Sequence, residues 1–211
     1  DESSEIKFLA RLFRVCGIDQ SDRVGCLDTG PLTLMASLTK ALDVLGVRES
    51  YVYCASTDAD FTLKGLSRLD PTVIVTVPSL LRRYLESFKE YFGKSSGSSL
   101  RDIIYVGEPL SEEIRVILNA ELGVEVFGYY GASETSAIGI ECKAHDGIHL
   151  FTDRNFIELD CQIEGDRVGE ILVTTLHQEG LPLLRYALRD RVTLKSGLCT
   201  CGLKYPRVYV D

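Results

Sequence analysis

Apolar residues recur at helical spacing across SSEIKFLARLFRVCG (3–17), where Ile6, Leu9 and Phe13 share a face, a serine offers an N-cap and Gly17 ends the run. RVGCLD (23–28) then reads as a strand, LTLMASLTKALDVLG (32–46) as a helix and YVYCA (51–55) as a second strand. A short helix, LKGLSRL (63–69), leads to TVIVTV (72–77), the continuous β-branched run that a strand buried on both faces requires. Helix 79–92, strand RDIIYVG (101–107), helix 111–121 and strand VEVF (124–127) complete the alternation. Strands joined by helices at this spacing predict an α/β fold with a doubly wound, mostly parallel sheet and right-handed crossovers.

From about residue 137 the pattern changes. IGIECKA, GIHLF, NFIELD, GEILVTTL, PLLRYAL and RVTL are short strand-like runs divided by turn residues, without a helical period among them. They predict a smaller antiparallel β unit, so the chain divides into an α/β part over 1–136 and a β-rich part over 137–211. No internal repeat is visible.

Composition narrows the class. With 45% hydrophobic and 26% charged residues over 211 positions, the chain suits a globular protein with room for a core. A net charge of −8 argues against nucleic-acid or anionic-membrane partners, which attract clustered Lys and Arg. No apolar run approaches the ~20 residues of a membrane span, and the opening DESSEIKF is acidic, unlike a signal peptide. The expectation is a cytoplasmic protein. The seven cysteines agree: the count is odd, and Cys16, Cys26, Cys54, Cys142 and Cys161 are scattered singly, so no disulfide framework is expected. Cys16, Cys26 and Cys54 lie in apolar segments and are expected to be small buried hydrophobes.

Ligands of a doubly wound sheet bind beyond the carboxyl ends of its strands. Gly107-Glu108-Pro109 and Gly128–Glu134 both fall at such ends. The second belongs to GYYGASET (128–135), which sets two glycines, two tyrosines, hydroxyls and a carboxylate on what reads as a turn directly after VEVF. Its local chemistry fits a packed strand end as well as a nucleotide site. GKSSGSS (93–99) looks at first like a phosphate loop, but it follows a helix and precedes a strand. That order is the reverse of what aims backbone N–H groups at phosphate, and Phe88 stands where the motif's first glycine belongs. It reads as a surface linker.

A second constellation is Cys142, His145, Cys199 and Cys201. C-x2-H with C-x-C downstream supplies four soft ligands, enough for a closed tetrahedral zinc site formed by two neighbouring β-hairpins. His149 is the alternative fourth ligand. The competing reading is reduced cysteines on surface turns beside a solvated histidine. A zinc held by four protein ligands is structural, because no coordination position stays open.

Taken in order, YVGEPL (105–110), GYYGASET (128–135), GEILVTT (169–175) and LPLLRYALRD (181–190) resemble the adenylate-forming (acyl-CoA synthetase/ligase) superfamily, and within it the phenylacetate–CoA ligase-like branch. TVPSLL (76–81), IECKAHDGIHLFTD (140–153) and GLCTCGLKYPRV (197–208) extend the likeness over nearly the whole chain. The resemblance implies part of an ATP-dependent carboxylic acid–CoA ligase. Such an enzyme makes an acyl-adenylate and pyrophosphate, then passes the acyl group to coenzyme A, with an aryl or arylacetic acid as the expected substrate. It implies that Gly107, Glu108 and Pro109 line an adenine pocket through their backbone. Tyr130 would stack on adenine, Gly131 would permit close approach, and Ser133 would touch the phosphate region. Glu134 would hold Mg²⁺ as the catalytic carboxylate, and Asp190 would accept hydrogen bonds from the ribose hydroxyls. ATP or AMP, Mg²⁺ and coenzyme A are the implied cofactors. A hard carboxylate oxygen suits Mg²⁺ and a carboxylate suits vicinal hydroxyls. Glu134 could equally cap a helix, Asp190 could pair with Arg185, Arg189 or Arg191, and Tyr129 reads as packed core.

Family members carry a phosphate-gripping loop before the first helix and a small lysine-bearing domain after the PRV strand; neither is found in this sequence. The chain is therefore expected to be a portion of the large domain, inactive alone and partnered by other domains of the same protein. Exposed apolar surface where those domains dock predicts a homo-oligomer in their absence. The acyl pocket would involve Thr76–Leu80 and the turn Asp28–Thr33, neither of which identifies the acid. Two alternatives share the motifs: a non-catalytic nucleotide-binding or interaction module, and an adenylating enzyme whose acceptor is not coenzyme A.

Overall fold

The computed structural model describes residues 2–28, 33–54, 58–161 and 167–210. Two compact units result, one formed by Ile6–Gly128 and the other by Asp1–Glu5 with Tyr129–Asp211. The sequence pattern draws its division at 136/137.

The first unit is α/β. Helix α1 (Glu2–Val15) precedes strand β1 (Arg23–Asp28), and α2 (Thr33–Leu45) leads to β2 (Glu49–Cys54). Helix α3 (Ala59–Ser67) begins on Asp58, whose side chain accepts the Phe61 N–H at 2.9 Å, and leads to β3 (Val73–Thr76). The helix predicted over 79–92 is two helices, α4 (Pro78–Arg83) and α5 (Leu85–Phe92). Tyr84 separates them with non-helical dihedrals of −117° and 29°. β4 (Asp102–Tyr105) follows, then α6 (Glu112–Ile117), capped by the Ser111 side chain and continued by a π-helical turn, Leu118–Leu122, that stops at Gly123 with φ +75°.

β1 pairs in parallel with β2 and β3, β3 with β4, and β4 with the first residues of β5 (Glu125–Ala132). β3 is buried at every position, as its β-branched run predicts. Leu66, Ile74, Leu81, Phe88, Ile103 and Leu118 anchor an apolar cluster of this unit. Cys16 and Cys26 are buried as expected, but Cys54 is exposed, because β2 is an edge strand with only β1 beside it. No disulfide links cysteines among the described residues. GKSSGSS does join a helix to a strand, and Ser99 at its end binds the Asp70 carboxylate through both its N–H (2.8 Å) and its hydroxyl (2.7 Å).

The second unit is antiparallel. It comprises the remainder of β5, β6 (Ser136–Glu141), β7 (Ile148–Leu150), β8 (Asn155–Asp160), β9 (Val168–Thr175), β10 (Tyr186–Lys195) and β11 (Arg207–Val210). They lie in the order β5-β6-β7-β11-β10-β9-β8. Tyr130, Ile138, Leu150, Ile171, Val192 and Val208 form its core. The last three residues of PLLRYAL and the whole of RVTL, read as separate strands in the sequence, belong to the single strand β10. No helix among the described residues is long and apolar enough to cross a membrane.

Candidate functional site

In the first unit, Gly107-Glu108-Pro109 stands just beyond the carboxyl end of β4, where the strand pattern predicts. Gly107 has φ +84° and open space where a Cβ would lie, so backbone conformation and not crowding calls for glycine. Glu108 faces Arg82 at 3.9 Å in an exposed pair. At the carboxyl end of β3, the Thr76 hydroxyl is fully buried with no hydrogen-bond partner among the described residues. A group so placed is costly unless something else satisfies it. Residues 29–32 of the other expected acyl-pocket segment lie outside the described residues.

In the second unit, GYYGASET is a hairpin. β5 runs on through Ala132, and only residues 133–135 turn before β6. Gly131, one of the two glycines that suggested a turn, allows close strand contact instead. A Cβ on Gly131 would come within 2.6 Å of the Ser136 carbonyl oxygen, at the point where the β5–β6 register shifts. Ser133 and Glu134 occupy the tip and are exposed. Glu134 does not cap a helix; its carboxylate accepts the Tyr186 hydroxyl at 3.3 Å, and its carbonyl accepts Gln178 Nε2 at 3.0 Å.

Tyr130 and Asp190 meet. The buried phenol donates a 2.7 Å hydrogen bond to Asp190 Oδ2, across 60 residues of sequence. Burial, and then the bonded carboxylate, push the phenol well above the ordinary tyrosine range, so it stays a donor. Asp190 reaches this position through a bulge. Ala187 pairs with Leu172 and Arg191 with Glu170, so Leu188, Arg189 and Asp190 oppose Ile171 alone, with Arg189 at φ +64°. Arg185 turns instead to Glu158 at 3.4 Å.

Beside Thr135 lies a polar cavity of about 190 Å³, bordered by Ser136, Arg154, Asn155, Thr175 and His177. Arg154 binds the Glu5 carboxylate and, at 3.0 Å, the Ser4 hydroxyl. The cavity is smaller than the ~300 Å³ of a small-molecule pocket and suits one polar end of a larger ligand. Sequence reasoning missed it. Its residues come from four separate segments, and the hydroxyls at Thr135 and Ser136 were the one available signal.

The Cys–His constellation forms with a changed member. Cys142, His149, Cys199 and Cys201 bring their ligand atoms within 4.8 Å of one another. Cys142 Sγ lies 3.6 Å from Cys199 Sγ, and Cys201 Sγ lies 3.4 Å from His149 Nε2. His145 is not among them. It occupies the last position of the turn after Cys142 at φ +48°, while His149 points inward from β7 and is fully buried. Burial lowers the His149 imidazole below its ordinary value and pushes the Cys142 thiol up to about 12.

Residues 6–155 match the AMP-binding enzyme family. Phenylacetate–coenzyme A ligases from Thermus thermophilus and Escherichia coli are each 32% identical, over 146 and 147 residues. Each alignment covers 65% of this chain and 33% or 34% of the relative, so the chain spans about a third of their length. Among solved structures, a 2-hydroxyisobutyryl-CoA ligase in the postadenylation state aligns with TM-score 0.86 at 18% identity, over 98% of this chain and 46% of that one. The O-succinylbenzoate coenzyme A synthetase of Bacillus subtilis, in complex with AMP, aligns with TM-score 0.63 at 19% identity, over 98% and 44%.

Proposed function

Because the chain belongs to the AMP-binding enzyme family, we propose that it is part of an ATP-dependent acid–CoA ligase acting on an aryl or arylacetic acid. The observation that carries this reading is the Tyr130–Asp190 hydrogen bond, at 2.7 Å, in the same unit as the GASET hairpin. A bulge is spent on aiming Asp190 at the end of a buried tyrosine, and bulges re-aim side chains next to active sites.

In this reading a substrate carboxylate oxygen attacks the α-phosphorus of ATP, forming the acyl–phosphate bond as pyrophosphate leaves. The thiol of coenzyme A then attacks the acyl carbon, giving the thioester and AMP. The residues of this chain bind and orient. In the first unit, Gly107, Glu108 and Pro109 offer their backbone to adenine; in the second, Tyr130 offers a ring to stack on or flank the base. Gly131 permits close approach, and Ser133 touches the phosphate region. Asp190 accepts the ribose hydroxyls while Tyr130 holds its carboxylate in place. Glu134, exposed at the hairpin tip, would hold Mg²⁺, and that ion would supply positive charge against the developing phosphate charge. Zinc at the Cys–His cluster belongs to the same reading as a structural ion and takes no step in this chemistry. The odd count of mostly scattered cysteines supports the cytoplasm as the location, and the rest of the longer protein is the expected partner.

Calorimetric titration with AMP tests the ribose role. Loss of a charged acceptor is worth ~1.5–3 kcal/mol, so Asp190→Ala is expected to bind AMP roughly 10–100-fold more weakly than wild type. Equal affinities would overturn the assignment.

A further inference from the structure

The Cys–His cluster lies where two turns of the same design meet. Cys142–His145 and Cys199–Gly202 each close with a hydrogen bond from the fourth N–H to the first carbonyl, at 2.9 Å and 3.1 Å. Each also places its fourth residue at positive φ, +48° for His145 and +84° for Gly202. His145 thus has a backbone role that Gly202 fills in the other turn, and β7 supplies the imidazole.

The sulfurs accept backbone N–H groups in a repeating pattern, each from two residues ahead. Ala144 donates to Cys142 Sγ at 3.4 Å, Leu203 to Cys201 Sγ at 3.5 Å, and the Cys201 N–H serves Cys199. Donors aimed at sulfur favour the thiolate, the form that binds metal. The spacing fits one ion. Zinc–sulfur and zinc–nitrogen bonds of about 2.3 Å and 2.0 Å give tetrahedral edges of about 3.8 Å and 3.5 Å. Cys142 Sγ and Cys199 Sγ stand 3.6 Å apart, Cys201 Sγ and His149 Nε2 3.4 Å apart, and all four ligand atoms lie within 4.8 Å of one another.

Three thiolates and a neutral imidazole around Zn²⁺ leave a single negative charge. The adjoining polar group carries the opposite one. Arg207, 2% exposed, donates to the Asp146 carboxylate and, at 2.9 Å, to the Gly197 carbonyl, and its charge interacts with Cys199 and Cys142. Asp146 also binds Lys195 at 2.9 Å and the Tyr209 hydroxyl at 2.7 Å. Two cations against one carboxylate leave a single positive charge. Gly197 precedes one metal turn and Asp146 follows the other, so the guanidinium also joins the two loops.

Resting on the zinc reading, we propose that Cys142, His149, Cys199 and Cys201 hold zinc as a three-thiolate, one-imidazole centre, and that Arg207 is its counter-charge and outer-sphere anchor. The centre is closed, and its work is to lock the β6–β7 loop to the β10–β11 loop.

The full chain, stripped of metal and titrated with Zn²⁺ against a chromophoric chelator, tests this in four variants. Loss of an outer-sphere partner costs roughly 10–100-fold in metal affinity, the effect expected for Arg207→Met. Arg207→Lys is expected to recover most of that loss. His145→Gly is expected to bind as wild type does. Asp146→Asn separates charge from clamping: a counter-charge role predicts zinc binding at least as tight as wild type, whereas a purely structural clamp predicts weaker binding. Co²⁺ loading of wild type reports the ligand set directly, with tetrahedral absorption and charge-transfer intensity for three thiolates. Less than about a tenth of an equivalent of zinc in wild type purified without chelator would overturn the zinc reading and this inference with it. Normal zinc binding in Arg207→Met, or weakened binding in Asp146→Asn, would overturn the counter-charge alone. Where Arg207→Met fails to fold, Asp146→Asn and the cobalt spectrum still decide.

Discussion

Replacing Tyr130 by phenylalanine removes one oxygen atom and leaves the ring in place. The lost bond is short, 2.7 Å, its acceptor is an ionised carboxylate, and the tyrosine is only 9% exposed. Hydrogen bonds to charged groups contribute ~1.5–3 kcal/mol, so the variant should be destabilised by about that amount. For a chain of this size that corresponds to a fall in Tm of roughly 3–12 °C. The raised phenol value gives a second signature. A tyrosine that ionises more easily unfolded than folded leaves stability unchanged below the unfolded value near 10, then erodes it as pH rises beyond that value. Tyr130→Phe should therefore lose less stability than wild type between pH 9 and pH 11; Tyr129, whose phenol is also raised by burial, continues to contribute in both. The assay is thermal unfolding at pH 7 and across the alkaline range, with Asp190→Ala and the double variant completing a cycle. A coupling energy below ~0.5 kcal/mol would refute the view that these residues act as one unit.

Four further outcomes are expected. Glu134→Gln should leave AMP affinity in the absence of metal unchanged while reducing the Mg²⁺ enhancement of ATP binding, measured by calorimetry; an unchanged enhancement would remove Glu134 as the Mg²⁺ ligand. Gly139→Ala should destabilise by ~1–3 kcal/mol or more in urea unfolding, because its Cβ would come within 2.3 Å of the His149 carbonyl oxygen, a backbone atom with little room to yield. Arg154→Met should cost about 3 kcal/mol by leaving the largely buried Glu5 carboxylate without its guanidinium, with Glu5→Gln/Arg154→Met recovering part of it. Asp22 is buried, which opposes ionisation, yet Arg101, the Asp19 N–H and the Thr72 hydroxyl outweigh that and hold its value below the ordinary one. Its contribution is thus present above pH ~4 and lost as pH falls through the lowered value, so Asp22→Asn should flatten acid unfolding below pH 4.

The alternation of the first unit was legible in the chain's local pattern, since periods of 3.6 and 2 are local properties that tertiary packing had no reason to override. The sequence also determined that Gly107-Glu108-Pro109 would stand at a strand end and that Cys142, Cys199 and Cys201 were candidates for one cluster. What needed the tertiary structure were the choices that local pattern leaves degenerate. GYYGASET looked like a turn because glycine permits both a turn and a close strand contact, and only the partner strand, with the Ser136 carbonyl against Gly131, shows which applies. Two strand-like runs became largely one because a bulge at Leu188–Asp190 lets β10 keep pairing with β9 on both sides of it. His145 was the expected fourth ligand and His149 its alternative, and both offer the same imidazole. The choice between them fell to backbone geometry, because a positive-φ turn took one and a buried strand position aimed the other at three sulfurs. The Tyr130–Asp190 bond and the Arg207–Asp146 clamp join residues about sixty positions apart, and no spacing rule reaches that far.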